Sequence, residues 1–293
     1  MKSRHLVFPV LLAATLTVAG CGGGAGDSKD SKTVTIGVTN VSESYWKVYE
    51  AAAKKHGITV KLKGFTDYQA PNQALASGEI DVNEYQHWQF LATYNVKNHT
   101  DLVPVGSTAA YPLPLYSSKH KKVSEFPQGG TVTVPNDPVN EARALLVLDK
   151  AGLVELKERN PFVTPADIVE GSSKVKVKPV DASQTAQTLD SVDGAVINND
   201  YAVKAKLPES SILAKDDPAA PEAAAYLNGF VVRKADKDNA VYLQLASIFH
   251  EPEVETAVRK SAGDLIVFAN KPAAELQATT TQLEAQVREH GAG

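Results

Sequence analysis

Four short segments hold the side chains best suited to chemistry. In Val134-Pro135-Asn136-Asp137-Pro138-Val139-Asn140-Glu141-Ala142-Arg143 a strand runs into a helix. Asn136 or Asp137 can cap that helix, and Pro138 suits its first position. The free N–H groups of its first turn favour an anion. Asn140 and Arg143 stand three apart and share a helix face. Arg143 can fork onto a carboxylate, while Asn140 can accept from an ammonium or donate to the carboxylate. The plainer reading is a capped surface helix with a solvated arginine. The second segment, Glu84-Tyr85-Gln86-His87-Trp88-Gln89-Phe90, reads as the start of a helix running to about Val96. One of its faces would enter the core, and the remaining aromatics, with His87, would line an apolar pocket with a polar tip. The third, Phe65-Thr66-Asp67-Tyr68-Gln69-Ala70-Pro71-Asn72, lies between a strand and a helix, where loops of α/β sheets meet ligands. Tyr68 is its aromatic expected to face a cleft; the alternative is a turn with a core phenylalanine. The fourth is a pair of asparagines, Asn198 after Ala195-Val196-Ile197 and Asn228 within Tyr226-Leu227-Asn228. Buried there, each needs a partner, which a zwitterion or a backbone carbonyl would supply.

Other chemistries lack a matching pattern. Neither Gly-x-Ser-x-Gly nor His-Glu-x-x-His occurs. No second histidine or carboxylate stands at a spacing such as His-x-x-x-His from His87, so no metal is expected. Cys21 is the single cysteine, which excludes an internal disulfide and a cysteine zinc site. No cofactor and no catalytic residue is assigned. The net charge of −4 gives no basic excess for nucleic acid. With 22% charged and 43% hydrophobic residues the composition is globular, and the length suits about two domains of roughly 150 residues.

Alternating elements must position these segments. Strands are expected over 33–38, 58–62, 80–82 and 102–110, with helices over 45–56 (capped by Ser42 or Ser44 and ended by Gly57), 71–75 and 84–96. Pro112 and Pro114 break the pattern. A second set follows, with strands over 131–134, 175–180 and 195–197 and helices over 138–151, 184–189 and 199–206. After a proline-rich stretch at 216–223, a strand over 226–232 and helices near 238–250, 252–261 and 273–289 finish the chain. Repeated β-α units imply mostly parallel sheets covered by helices. The proline-bearing connectors, at about 112–116 and 216–225, divide them into two lobes, and clefts between lobes are preferred ligand sites. Lobe 1 is expected over 33–112, lobe 2 over 113–225, and residues 226–293 return to lobe 1.

The first twenty residues read as an export signal. Lys2 and Arg4 form a positive start, and Leu6 to Ala19 is uncharged but too short to span a bilayer. Val18-Ala19-Gly20 leads into Cys21 in the pattern of a lipobox, whose cysteine takes a diacylglycerol. Residues 21–32, rich in glycine and serine, then form a flexible tether from a lipid anchor. A secretory signal beside a coincidental cysteine is the alternative.

Several of these features occur together in one family. The lipobox, Phe65-x-Asp67-Tyr68-x-x-Pro71-Asn72-x-Ala74-Leu75, Gln86-His87, Val134-Pro135-Asn136-Asp137-Pro138 with Asn140 and Arg143, Ala195-Val196-Ile197-Asn198 and Tyr226-x-Asn228 follow in order. In this the chain resembles the NlpA, or MetQ-type, lipoproteins, the methionine-binding components of ABC importers. The resemblance implies an α/β, two-lobed periplasmic-binding-protein fold holding one methionine, L or D, in the cleft. It implies that Arg143 clamps the carboxylate and that Asn140, Asn198 and Asn228 surround the amino and carboxylate groups. Tyr68, Tyr85 and His87 would wall the thioether, with Tyr85 standing where phenylalanine is common in the family. Trp46 and Trp88 receive no role. The implied partners are a permease and ATPase complex and, through the anchor on Cys21, the outer face of the cell membrane. The alternatives are the same fold with another apolar amino acid or a dipeptide, and a lipid-anchored enzyme.

Overall fold

Thr33-Val34-Thr35-Ile36-Gly37-Val38 opens the fold because its alternate residues Val34, Ile36 and Val38 can all be buried on one face. The computed structural model describes residues 32–290. The expected signal segment 1–20, Cys21 and the tether as far as Ser31 lie outside the described residues. The strands are β1 (Lys32–Val38), β2 (Ile58–Gly64), β3 (Val82–His87), β4 (Val103–Ala110), β5 (Pro114–Tyr116), β6 (Gly130–Pro135), β7 (Val175–Val180), β8 (Gly194–Val196), β9 (Ile212–Lys215), β10 (Leu227–Val232) and β11 (Val267–Phe268). The helices are α1 (Tyr45–Lys55), α2 (Ala70–Ala76), α3 (Trp88–Asn98), α4 (Pro138–Lys150), α5 (Thr185–Thr188), α6 (Asn199–Lys204), α7 (Ala240–Ile248), α8 (Pro252–Ala262) and α9 (Ala273–Glu289).

Two sheets organise two lobes. One has six strands in the order β11-β4-β10-β3-β1-β2, the other five in the order β7-β6-β8-β5-β9. The chain passes from the first to the second between β4 and β5, and back between β9 and β10. Both sheets are mixed, which corrects the expectation of mostly parallel pairing. β1 runs parallel to β2 and β3, and β6 parallel to β7 and β8. β10 is antiparallel to β3 and β4, and β5 to β8 and β9. The reason lies in the crossings: β5 and β10 arrive from the other lobe, not through a helical crossover within their own sheet, so no crossover constrains their direction.

Three local expectations also change. The helix expected from Glu84 begins only at Trp88, because Glu84–His87 belongs to β3. That strand lies between β1 and β10 and is largely buried, so it lacks the polar alternation that marks a half-exposed strand. Its buried amides satisfy one another: Asn83 donates to Asn72 Oδ1 at 2.9 Å and Gln86 to the same atom at 2.6 Å. Ser44 occupies the N-cap of α1 without a side-chain cap bond, and the Ser42 hydroxyl donates instead to Asn40 Oδ1 at 2.6 Å. Pro114 opens β5 and does not end a pattern, since the first residue of a strand tolerates proline.

Lobe 1 is centred on packed aromatics. Tyr49 stacks on Phe230 at 5.9 Å and meets Trp46 edge-on at 5.6 Å, and its hydroxyl donates to Leu245 O at 2.8 Å. Trp88 is fully buried over Gly229, where an added methyl would come within 2.7 Å of the indole and strike the Gly106 carbonyl. Leu113, Leu115, Val132, Val134, Leu145 and Leu148 form the core of lobe 2. A further buried group, Tyr68, Phe90, Tyr116, Val139, Ile197 and Tyr201, draws on both lobes. Hydrogen bonds cross there as well: Tyr201 donates to Thr66 O at 3.2 Å, Thr39 to Asp200 at 2.8 Å, and Tyr68 to Asp200. The lobes therefore stand closed on each other.

Candidate ligand-binding cleft

Between the lobes lies a cavity of about 760 Å³, including its part open to solvent. All seven residues expected to hold a ligand line it: Tyr68, Tyr85, His87, Asn140, Arg143, Asn198 and Asn228. The fold explains their convergence. Tyr68 precedes α2, Tyr85 and His87 end β3, and Asn228 lies on β10, paired with His87. Asn140 and Arg143 lie in the first two turns of α4, and Asn198 is the N-cap of α6.

The start of α4 is built around Asp137, whose carboxylate accepts from the Asn140 backbone N–H at 2.9 Å and caps the helix. The Asn140 amide also donates to both Asp137 oxygens at 3.1 Å. Its Oδ1 accepts from Asn198 Nδ2 at 3.1 Å and faces His87 Nε2 at 3.4 Å. His87 Nδ1 accepts from the Phe90 N–H at 3.2 Å, so the ring proton sits on Nε2 and points to Asn140. Burial, and secondarily the charge of Arg143, push the His87 pKa down to about 3, and the ring is neutral. Asn140 thus spends most of its capacity tying β3, α4 and α6 together. Asn198 does not: its Oδ1 is buried with no partner among the described residues. Asn228 is weakly engaged, donating to Tyr226 O at 3.3 Å and Ala109 O at 3.4 Å.

Arg143 is only 5% exposed, which excludes the solvated surface arginine. Its Nε donates to Asp216 Oδ2 at 2.6 Å, its Nη2 donates to Tyr111 O at 2.7 Å, and the guanidinium lies 4.3 Å from the Tyr226 ring centroid. Of the five N–H groups of an arginine, three remain for a ligand. One end of the cavity thus offers unspent donors and a neighbouring unspent acceptor, which are the complements of a carboxylate and an ammonium.

Aromatic side chains line the same cavity. Tyr68 lies 6.0 Å from Tyr85 and 6.1 Å from Phe90, and the Tyr85 hydroxyl donates to Tyr68 O at 2.9 Å. Phe90 is a lining residue that the sequence reading leaves unassigned, although it stands three residues from His87 on the same segment. Trp46 also lines the cavity, with Nε1 donating to Asn40 O at 3.1 Å, whereas Trp88 belongs to the core.

The sequence reading also misses an acidic group on the cavity wall, the buried Glu84 and the half-buried Glu43 and Asp200. Burial, followed by the charge of Asp200, raises Glu43 to about 8. Burial raises Glu84 to about 7 against a 3.1 Å hydrogen bond from Thr108. Asp200 is also raised by burial, opposed by the hydroxyls of Tyr68 and Thr39. Nothing in their spacing joins them: Glu43 precedes α1, Glu84 lies inside β3 and Asp200 lies in the first turn of α6.

Known proteins resemble this chain in sequence and in fold. The sequence profile of the family described as NlpA lipoprotein matches residues 34–269. The chain is 36% identical over 279 residues to the probable D-methionine-binding lipoprotein MetQ of Pasteurella multocida, covering 91% of this chain and 99% of that one. Among solved structures it is similar to the substrate binding protein of a methionine transporter from Streptococcus pneumoniae, with 35% identity, a TM-score of 0.76 and coverage of 81% and 95%. It is also similar to a nutrient binding protein from Burkholderia cenocepacia bound to methionine, with 34% identity, a TM-score of 0.75 and coverage of 80% and 99%.

Proposed function

Because the chain belongs to the NlpA lipoprotein family, we propose that it is a lipid-anchored solute-binding protein that captures methionine and delivers it to an ABC importer. The observation that carries this reading is the presence, in one cavity between the lobes, of the partly unspent Arg143, the Asn198 Oδ1 that has no partner among the described residues, and a set of aromatic side chains. Arg143 would take the carboxylate, Asn198 and Asn228 the ammonium, and Asn140 would brace both ends. Tyr68, Tyr85, His87 and Phe90 would receive the thioether, where each sulfur–aromatic contact contributes about 0.3–1.5 kcal/mol. A neutral His87 suits that apolar role.

In this reading residues 33–112 and 226–293 form one lobe, residues 113–225 form the other, and they close around the ligand. Closure follows only if ligand binds the closed arrangement better than the open one. Residues 1–20 are the signal, and Cys21 carries the lipid that holds the protein at the outer face of the membrane. Among the described residues no helix is long and apolar enough to cross a membrane. No catalytic step is assigned.

The test begins with mass spectrometry of ligand released from denatured, freshly purified protein, where methionine is expected. Calorimetric titration of stripped protein with methionine, leucine and glutamine follows. Stoichiometric binding of methionine without product is the expected result. Binding of glutamine with none of methionine would overturn the ligand, and conversion of a bound amino acid would overturn the carrier.

A further inference from the structure

Arg143 is fastened to both passages of the chain between the lobes. On the first passage, between β4 and β5, Tyr111 O accepts from Nη2 at 2.7 Å. On the second, between β9 and β10, Asp216 accepts from Nε at 2.6 Å and Tyr226 lies beneath the guanidinium at 4.3 Å. Asp216 also joins the two passages directly, because its other oxygen, Oδ1, accepts from the Leu113 backbone N–H at 2.7 Å. One carboxylate therefore spans both crossing segments and the cavity arginine. The Arg143 side chain is 6% exposed and the Asp216 side chain 25%.

We propose that Asp216 is a positioning residue that fixes the Arg143 guanidinium at the junction of the lobes, so that its remaining N–H groups are aimed at a ligand carboxylate. The inference rests on the methionine reading above. The physical argument has two parts. A long arginine side chain loses rotamer entropy when it is held in one geometry. A partner that already holds it in the empty protein removes most of that cost from the binding step. The second part concerns place. The crossing segments are the axis about which two lobes can rotate, and atoms at an axis move least. An arginine held by both segments keeps its aim whether the cleft is open or closed, so the carboxylate docks first and the aromatic wall closes on the side chain afterwards. Asp216 reduces the net charge of the site but takes only the Nε–H, which leaves both N–H groups of Nη1 free.

The test is a double-mutant cycle read by calorimetry with methionine on the full-length, ligand-stripped protein. Asp216→Asn keeps the size of the side chain and an oxygen for Leu113 but removes the charge that holds Nε. It should weaken methionine binding about tenfold or more, with slower association. In an Arg143→Gln background the same change should have an effect of less than twofold, because the group that Asp216 positions is gone. A residue that only supports the fold would weaken both backgrounds equally, and that additivity overturns the proposal. Wild-type affinity retained within twofold in Asp216→Asn overturns it too. Melting of the ligand-free variants checks that they fold; if Asp216→Asn does not, Asp216→Ser carries the same cycle. A wild-type protein that takes up no methionine overturns the ligand reading, and the proposal falls with it. Failure of the variant alone leaves the ligand reading standing.

Discussion

Replacing Arg143 by alanine should abolish most methionine binding. The side chain is 6% exposed and is held by Asp216 and Tyr111 O, so a ligand carboxylate would meet its free N–H groups in a largely desolvated site. A carboxylate on two of them makes two hydrogen bonds to a charged group, each contributing about 1.5–3 kcal/mol. Truncation also leaves the Asp216 carboxylate facing the ligand carboxylate, although its 25% exposure lets water screen it. The combined loss is about 3–5 kcal/mol, or from roughly a hundredfold to several thousandfold in affinity. Arg143→Lys should recover less than about tenfold, because one ammonium must serve Asp216, Tyr111 O and the ligand, where the planar fork serves all three. Titration calorimetry of stripped proteins measures this directly, and thermal melting gives an independent reading. Methionine at about 100 times the wild-type dissociation constant should stabilise wild type by roughly 2.7 kcal/mol and Arg143→Ala hardly at all. Affinity within threefold of wild type in Arg143→Ala would refute the assignment of this residue. Full affinity in Arg143→Lys would show that charge alone matters and that the fork does not.

Four further outcomes are expected. Glu43 and Glu84 are raised in the folded protein to about 8 and about 7 from an ordinary 4.5, chiefly by burial. The folded state therefore holds protons that the unfolded chain has lost, and their stabilisation is full below the ordinary value and disappears as pH rises through the folded values. The drop in melting temperature from pH 6 to pH 8.5 should accordingly be smaller in Glu43→Gln than in wild type; an identical drop contradicts the burial argument. Gly229→Ala should destabilise by about 1–3 kcal/mol or more in denaturant unfolding, since the methyl meets the Gly106 backbone and the Trp88 ring in mid-sheet; a change under about 0.5 kcal/mol would show that the sheet yields. Asn72→Ala leaves the buried amides of Gln86 and Asn83 short of partners and should cost about 1–3 kcal/mol, measured in the same way. Cys21→Ala should move the protein out of the membrane fraction, and unchanged fractionation would argue against a lipid anchor.

What the sequence disclosed, and what it concealed, follows from the distance over which each feature is determined. β1, β2, β4, α4 and α7 to α9 were legible because their periodicity and punctuation are local. Glu84–His87 was not, because a strand with neighbours on both sides has no exposed face to alternate, and its aromatics imitate a helical stripe. β9 and β11 are too short to show a pattern. Within the cleft, Asp137 and Asn140 could be paired from their spacing, since a cap and its helix are neighbours. The gathering of Tyr68, Asn140, Asn198 and Asn228 around Arg143 came from family resemblance, because no spacing rule brings those positions together. The partners that set their chemistry lie further apart still. Asp216 is 73 residues from Arg143, and Asp200 is 132 residues from Tyr68. The first pair forms where the chain returns from lobe 2 beside α4, and the second where the two lobes meet face to face. Local sequence can therefore offer Arg143 as a candidate for a ligand carboxylate, but only the topology shows that the Asp216 carboxylate already holds it in place.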